Sequence, residues 1–470
     1  MITTCVHIGC PTLIYESEDV FTKAKNMGSV NVNSGSVETL DRVDGDLNLA
    51  NGATVKAKLF AKKVEVSGSV QYDGNCVFEC GLSANSIRGK HGDLIVKGDL
   101  SIEKSIRIYE GSLEVEGNLT AGDVEVDKKV SVEKDLSAGK VEVGGKIWVG
   151  GNTKADEIEV GGVFEAKGDV KTEKLEAGGT AKIEGTTAIS RISVGGTFYG
   201  RGLIKADKIS VGGTFESESE ITVEELHIGG TAKVAGGEVK GRVSIGGSFV
   251  SSKPLTFDWI DVGGKVELAD GCKGRKVDVG GTLKTEGNLK FEDIDVGGTV
   301  EIRGDAEGEA IDVGGKLSVQ KNLTLTKKLD VGGTAEAGEI LKAESVNVGG
   351  SLQARRVDAK TSVDVGGRIE TKEGTKAIRV EIGRDGRIIG VVVAEEVLLG
   401  EKAEVEDIYA GSLVMEERSS ARNVYAKRVH LERECKIIGE LQYTEELKRE
   451  QEVTFAKEPV KVAHLPTPPI

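Results

Sequence analysis

Residues 294–302 read Ile-Asp-Val-Gly-Gly-Thr-Val-Glu-Ile, and this phrase decides the fold. Ile294 and Val296 flank Asp295, and Val300 and Ile302 flank Glu301, so apolar and polar residues alternate on either side of a glycine pair. A period of two describes short strands with one face in and one face out. Variants of the phrase return fourteen times, with first glycines at 144, 161, 178, 195, 212, 229, 246, 263, 280, 297, 314, 332, 349 and 366. Every step is 17 residues except one of 18. A short fixed period without helical spacing means one coil per repeat, stacked on neighbours like itself. A looser third segment, Asp305 to Ala310, completes the repeat. The expected fold is therefore all-β: a single-stranded, three-sided parallel β-helix with 17-residue rungs.

The positions expected to point inward agree. Three residues before each first glycine stand Val141, Ile158, Leu175, Ile192, Ile209, Leu226, Val243, Ile260, Val277, Ile294, Ile311, Leu329, Val346 and Val363, all aliphatic. Three residues after it stand Phe164, Ala181, Phe198, Phe215, Ala232 and Phe249, bulky rings interleaved with methyl groups as a narrow stacked core requires. The glycine pairs are expected at corners, where they supply positive φ or let backbones pass closely. The third strand, with Thr153, Glu238 and Cys272 among its occupants, is expected to bulge.

At 470 residues a compact chain would divide into domains, yet a solenoid needs no single large core. Sixty-five glycines against six prolines suit corners, and aromatics at 4% are too few for a large stacking surface. A net charge of -15 argues against nucleic acid as a partner. No 18-residue apolar run and no basic-then-apolar start is present, so neither a membrane span nor a signal peptide is expected and the reading is cytoplasmic. Six scattered cysteines fit a reducing compartment.

Three segments are expected. Residues 1–26 lie outside the repeat and form an N-terminal extension or cap. Residues 27–445 form the solenoid, less regular before Val143, with about 23 rungs rising about 110 Å. Residues 446–470 form a tail, with a charged stretch from Glu446 to Glu452 read as one helical turn and a Pro-rich end read as disordered or a docking peptide.

Rungs of this length, built from Val-X-Val-Gly-Gly-Thr phrases with few aromatics, resemble the bactofilins, the polymer-forming cytoskeletal proteins. The closing phrases Val-Glu-Asp-Ile-Tyr-Ala (405–410), Ala-Arg-Asn-Val-Tyr-Ala (421–426) and Gly-Glu-Leu-Gln-Tyr-Thr (439–444) strengthen the likeness. The resemblance implies a right-handed β-helix without a catalytic site. It also implies end-to-end polymerisation without a nucleotide, often bound to membranes or serving as a scaffold, with attachment to membrane or scaffold partners through the termini. One departure is that here almost the whole chain is coil.

Several groups of residues are candidates for chemistry. Cys5, Cys10, Cys76 and Cys80, with His7, could bring soft ligands together for zinc, though C-x4-C and C-x3-C are not the tight knuckle and free thiols are the plainer reading. Asp261, Asp278, Asp295, Asp312 and Asp330 form an outward column in which neighbours repel by about 1 kcal/mol even in water. A solvated face beside Lys276 and Lys328 explains it more simply than a bound cation. Thr180, Thr197, Thr214 and Thr231 form another column, read as good strand formers. No glycine pair precedes a Lys-Ser/Thr phrase, so no nucleotide or other cofactor is expected.

The first and last rungs of any stacked coil present unpaired backbone groups and a slice of apolar core, to be capped or used. Tyr409, Tyr425 and Tyr443 recur at nearly rung spacing as an expected aromatic column, and with Leu431 and Leu441 they are the candidate self-association residues. The expected function is a scaffold or filament subunit that binds itself through its ends without nucleotide. The rival readings are a passive binding or adhesive rod and a polysaccharide-acting β-helix enzyme. The second is disfavoured because the rungs lack the long loops that build a catalytic groove.

Overall fold

The computed structural model describes residues 28–58 and 61–470. Among them every regular element is a strand, and the strands stack in parallel into about 25 turns of about 17 residues. The chain divides into two compact units, Met1–Gly151 and Asn152–Ile470, each a parallel β-solenoid in its own right.

In the first unit each turn contributes three separate strands. The first side climbs in parallel register from Val30 to Leu47, Val70, Ile87, Ile106, Val124 and Val141. The steps from Leu47 to Val70, from Ile87 to Ile106 and from Ile106 to Val124 are longer than the repeat, so the spacing is uneven there. In the second unit the register Ile158, Leu175, Ile192, Ile209 and Leu226 follows the sequence repeat without a slip. All fourteen aliphatic positions before the glycine pairs are at most 2% exposed, and the ring-and-methyl column from Phe164 to Phe249 is fully buried. The expected all-β stacked coil is present.

Strands lengthen along the second unit. Val170–Ala177 carries the third side of one turn into the first side of the next. From Thr334–Val348 onward single strands of up to 15 residues bend through all three sides. The bulge expected on the third side is real: register shifts fall between Val223 and Leu226 and between Val239 and Arg242. Gly236 and Gly237, at φ +133 and +117, absorb the shift, so Val239 points inward while Glu238 is exposed.

The repeated glycine pairs are needed for close approach, not for positive φ. None of the fourteen pairs has a left-handed conformation. Gly144 and Gly145, and the pairs from Gly178 and Gly179 onward, instead lie over the carbonyl oxygen of the corresponding corner one turn earlier, and a Cβ on Gly297 would stand 2.8 Å from the Gly280 oxygen. Beyond Gly367 the corner changes to a tight turn with a left-handed non-glycine residue, Asp385, Lys402, Arg418 or Glu434. Gly297→Val is therefore expected to lower stability by roughly 1 to 3 kcal/mol through overpacking. Glu301→Val, on an outward position, should be nearly neutral; equal shifts in the denaturant midpoints of the two variants would refute the stacked-corner explanation.

Two polar devices support the corners. Asp and Asn side chains accept the backbone N–H one turn on: Asn152 Oδ1 from Asp169 (2.9 Å), Asp169 Oδ1 from Thr186 (2.7 Å), Asn288 Oδ1 from Asp305 (2.8 Å) and Asp305 Oδ1 from Asn322 (3.1 Å). Hydroxyls inside the core bend back instead, Ser217, Ser251 and Thr285 each donating to the carbonyl two residues on, at 2.6, 2.8 and 3.0 Å. The first ties exposed corners of successive turns together, and the second satisfies hydroxyls that burial would otherwise leave unpaired.

Candidate functional site

The candidate self-association residues occupy three different environments. Tyr409 and Tyr425 are register partners on adjacent turns, their ring centroids 4.7 Å apart and tilted by 30°. Tyr425 is only 9% exposed and its hydroxyl donates to Glu440 Oε1 at 2.5 Å. Burial, and then this bond to a carboxylate, push its phenol well above the ordinary tyrosine range. Tyr443 does not continue the column. Tyr425 pairs with Gln442, and Tyr443 pairs with Ala426. A one-residue offset turns a side chain to the other face of a strand. Leu431 and Leu441, at 0% and 1% exposure, are core residues.

The stack does not stop at 445. Leu441–Arg449 is one strand, so the segment from Glu446 read as a helical turn continues the sheet. Thr454–Phe455 then pairs on Lys436–Ile437, and Val460–Lys461 on Gln442–Tyr443. Among the described residues these strands are paired on one side only, and so are Val30–Val32, Val37–Leu40 and Arg42–Val43 at the start of the first unit. Large exposed apolar side chains are few among the described residues, and two belong to these end turns, Val37 at 58% and Val460 at 52%; Ile438, at 65%, stands one turn earlier, after Lys436–Ile437, which is paired on both sides. Open edges with apolar side chains beside them suit strand pairing with another chain.

After Lys461 the chain turns back. The Val462 N–H donates to the Tyr443 carbonyl at 2.8 Å. Ile470 ends against Gly374, where a Cβ would stand 2.7 Å from its Cδ1. Gly374 belongs to the strand Arg368–Ile382, in the turn that carries Ala377. Ala377, Ala394, Ala410, Ala426 and Tyr443 form one register column, so the segment reaches back four turns.

Two side grooves run along the second unit where the third side bends into the first. One, of about 480 Å³, has Ala155, Thr172, Ile189 and Val223 on its floor; Lys154, Lys171 and Lys205 face Asp156, Glu173 and Asp207 across it. The other, of about 520 Å³, is floored by Ala359, Ala377, Val393 and Ala394 beside Ile378, which is 54% exposed. Between them the same column is filled, the ring of Phe257 lying over Gly274 and that of Phe291 over Gly308. Phe-Gly alternation at 17-residue spacing was the available signal for this.

The metal candidates do not come together among the described residues. Cys76 and Cys80 are free thiols at 1% and 8% exposure, and no group of three His, Cys, Asp or Glu there could hold an ion. Cys5 and Cys10 lie outside the described residues. Burial pushes the Cys76 thiol up to about 11, so at pH 8 it is protonated and shielded. Maleimide labelling of the native protein at pH 8 should spare Cys76 until denaturant is added, and rapid native labelling at that residue would contradict its placement in the core. The aspartate column is in register, Asp261 through Asp278, Asp295 and Asp312 to Asp330, and part of its charge is matched by Arg242 on Asp261 and by Lys328, 3.8 Å from Asp312. The threonine column is likewise in register.

Residues 91–188 match the sequence model of the Bactofilin family, described as polymer-forming cytoskeletal. No curated protein and no solved structure matches the chain. No helix among the described residues is long and apolar enough to cross a membrane.

Proposed function

We infer that the protein is a structural subunit, a scaffold or cytoskeletal filament component that associates with copies of itself through its solenoid ends without a nucleotide. The observation that carries this reading is that, among the described residues, the first and last strands are paired on one side only, with Val37 exposed beside the former and Val460 beside the latter. The bactofilin match over 91–188 supports a polymer-forming role. A parallel strand edge offers main-chain hydrogen bonds without any cofactor, and apolar contact adds affinity. Membrane or other scaffold partners would attach through the termini, and the protein would act in the cytoplasm. Electron microscopy of purified protein in physiological salt, without nucleotide, tests the reading. Filaments or regular oligomers are expected; single particles at high concentration would end it.

The ionic groove over Lys154–Lys205 and Asp156–Asp207 favours a second reading, a passive rod that binds an extended zwitterionic chain. Binding of such a chain by protein that never self-associates would favour it.

A further inference from the structure

We propose that the four-turn seat holding residues 462–470 also takes the same segment from a second copy, tying copies together side to side. The seat is built to hold an extended apolar segment. Val462 is fixed by its N–H on Tyr443, and Ile470 is received by Gly374, whose missing side chain and φ of +120 leave no room for any other residue type without strain. Between these anchors Leu465 and Pro468 are half-buried while Ala463, His464, Pro466, Thr467 and Pro469 are exposed. Burial at every third residue is the pattern of a polyproline helix laid on a surface.

The reach agrees. Nine residues of polyproline chain from Lys461 to Ile470 extend about 28 Å. Four turns rise about 19 Å. The direct path from Tyr443 to Gly374 crosses the side of the solenoid that carries Tyr425, Tyr409 and Val393, register partners on successive turns. Aromatic strips are what proline-rich segments recognise. The segment contains no Lys, Arg, Asp or Glu, and Ala359, Ala377, Ile378, Val393 and Ala394 give the nearby groove an apolar strip, flanked by Arg356, Asp358, Lys360, Lys376 and Glu395.

Exchange follows from the identity of the contacts. Its contacts are those that an identical segment from another chain would make, so swapping leaves the contact energy unchanged and costs association entropy. Within one chain the high effective concentration favours the closed form; a high protein concentration favours exchange. Lateral exchange does not depend on end-to-end stacking.

Disulfide trapping tests this. Val391 Cβ and Ile470 Cδ1 both lie beside the position of a Gly374 Cβ, at 3.4 and 2.7 Å from it, which makes Val391→Cys and Ile470→Cys the pair to cross-link. The background carries Cys5→Ser and Cys10→Ser, the other four cysteines being buried. Mixing the Val391→Cys chain with the Ile470→Cys chain under mild oxidation should give a disulfide-linked dimer that reducing agent dissolves. Excess peptide of sequence 458–470 should suppress it, and a scrambled peptide should not. Circular dichroism of each variant confirms that the fold is intact. A disulfide that forms in a single chain carrying both cysteines, but never in the mixture, overturns exchange; absence of both overturns the seat itself. Repeating the mixture with Val37→Glu, which blocks one stacking end, separates this result from the fate of the filament reading: a surviving dimer supports exchange, and its loss shows that the link ran through stacked ends and overturns it.

Discussion

Replacing Ile438 and Val460 by glutamate is expected to convert assembled protein into single chains while leaving its β signal unchanged. Both side chains are mostly exposed on the last two turns of the second unit, at 65% and 52%, Val460 on a strand paired on one side only and Ile438 on the turn before it. Burying an aliphatic side chain of this size is worth about 1.5 to 3 kcal/mol. Two of them therefore contribute on the order of 3 kcal/mol, a hundredfold or more in dissociation constant. A buried carboxylate without a partner adds a further penalty. Light scattering against concentration reads the outcome, and assemblies that persist in the double variant would show that the end turns are not the contact. Leu441→Lys, attractive on spacing alone, is no clean test. Leu441 is 1% exposed, so a lysine there would damage the core before it could report on association.

The difference between Leu441 and Val460 shows where the sequence was informative. Alternation around paired glycines at a fixed period prescribes inward and outward positions as long as every turn has equal length. From Val141 to Val363 that condition nearly holds, and all fourteen aliphatic positions are core. Near the C-terminal end it fails. Tyr409 pairs with Tyr425 one turn on, but the next turn places Gln442, not Tyr443, over Tyr425. A slip of one residue is invisible to approximate spacing, yet it decides which face a side chain occupies. The aromatic column therefore has two members.

Other features were hidden because they depend on neighbours a full turn away. Glycine at a corner is compatible with positive φ or with close approach, and only stacking shows that a carbonyl oxygen occupies the place of a Cβ. The Asx ladder left a trace in the recurring Gly-Asp and Gly-Asn phrases at 98–99, 117–118, 168–169, 287–288 and 304–305, but its purpose, capping an N–H in the next turn, is a property of the stack. The fold-back of 462–470 had no periodic signature. Its anchor is a glycine about ninety residues earlier that the repeat does not mark.

Phe215→Ala is expected to open a fault across the second unit. Phe198, Phe215 and Ala232 are register partners on successive turns, and the two rings stack at 5.4 Å with planes 14° apart. Phe215 is fully buried. Its truncation leaves a cavity bounded above by the small Ala232, which cannot fill it, so the cost should lie near the usual 3 to 5 kcal/mol for such a change. In a solenoid each turn touches only its neighbours, and stability is a sum of turn and interface contributions. The loss should therefore be local. Hydrogen exchange should accelerate about a hundredfold or more in the turns around residues 192–249, 3 kcal/mol corresponding to roughly that factor, while the turns from Thr334 onward keep their protection. Ala181→Val, in the same column, should not mimic it. Uniform acceleration throughout 152–470 would show that the unit unfolds as one cooperative body, and unchanged exchange around residue 215 would remove the stacked rings from the core.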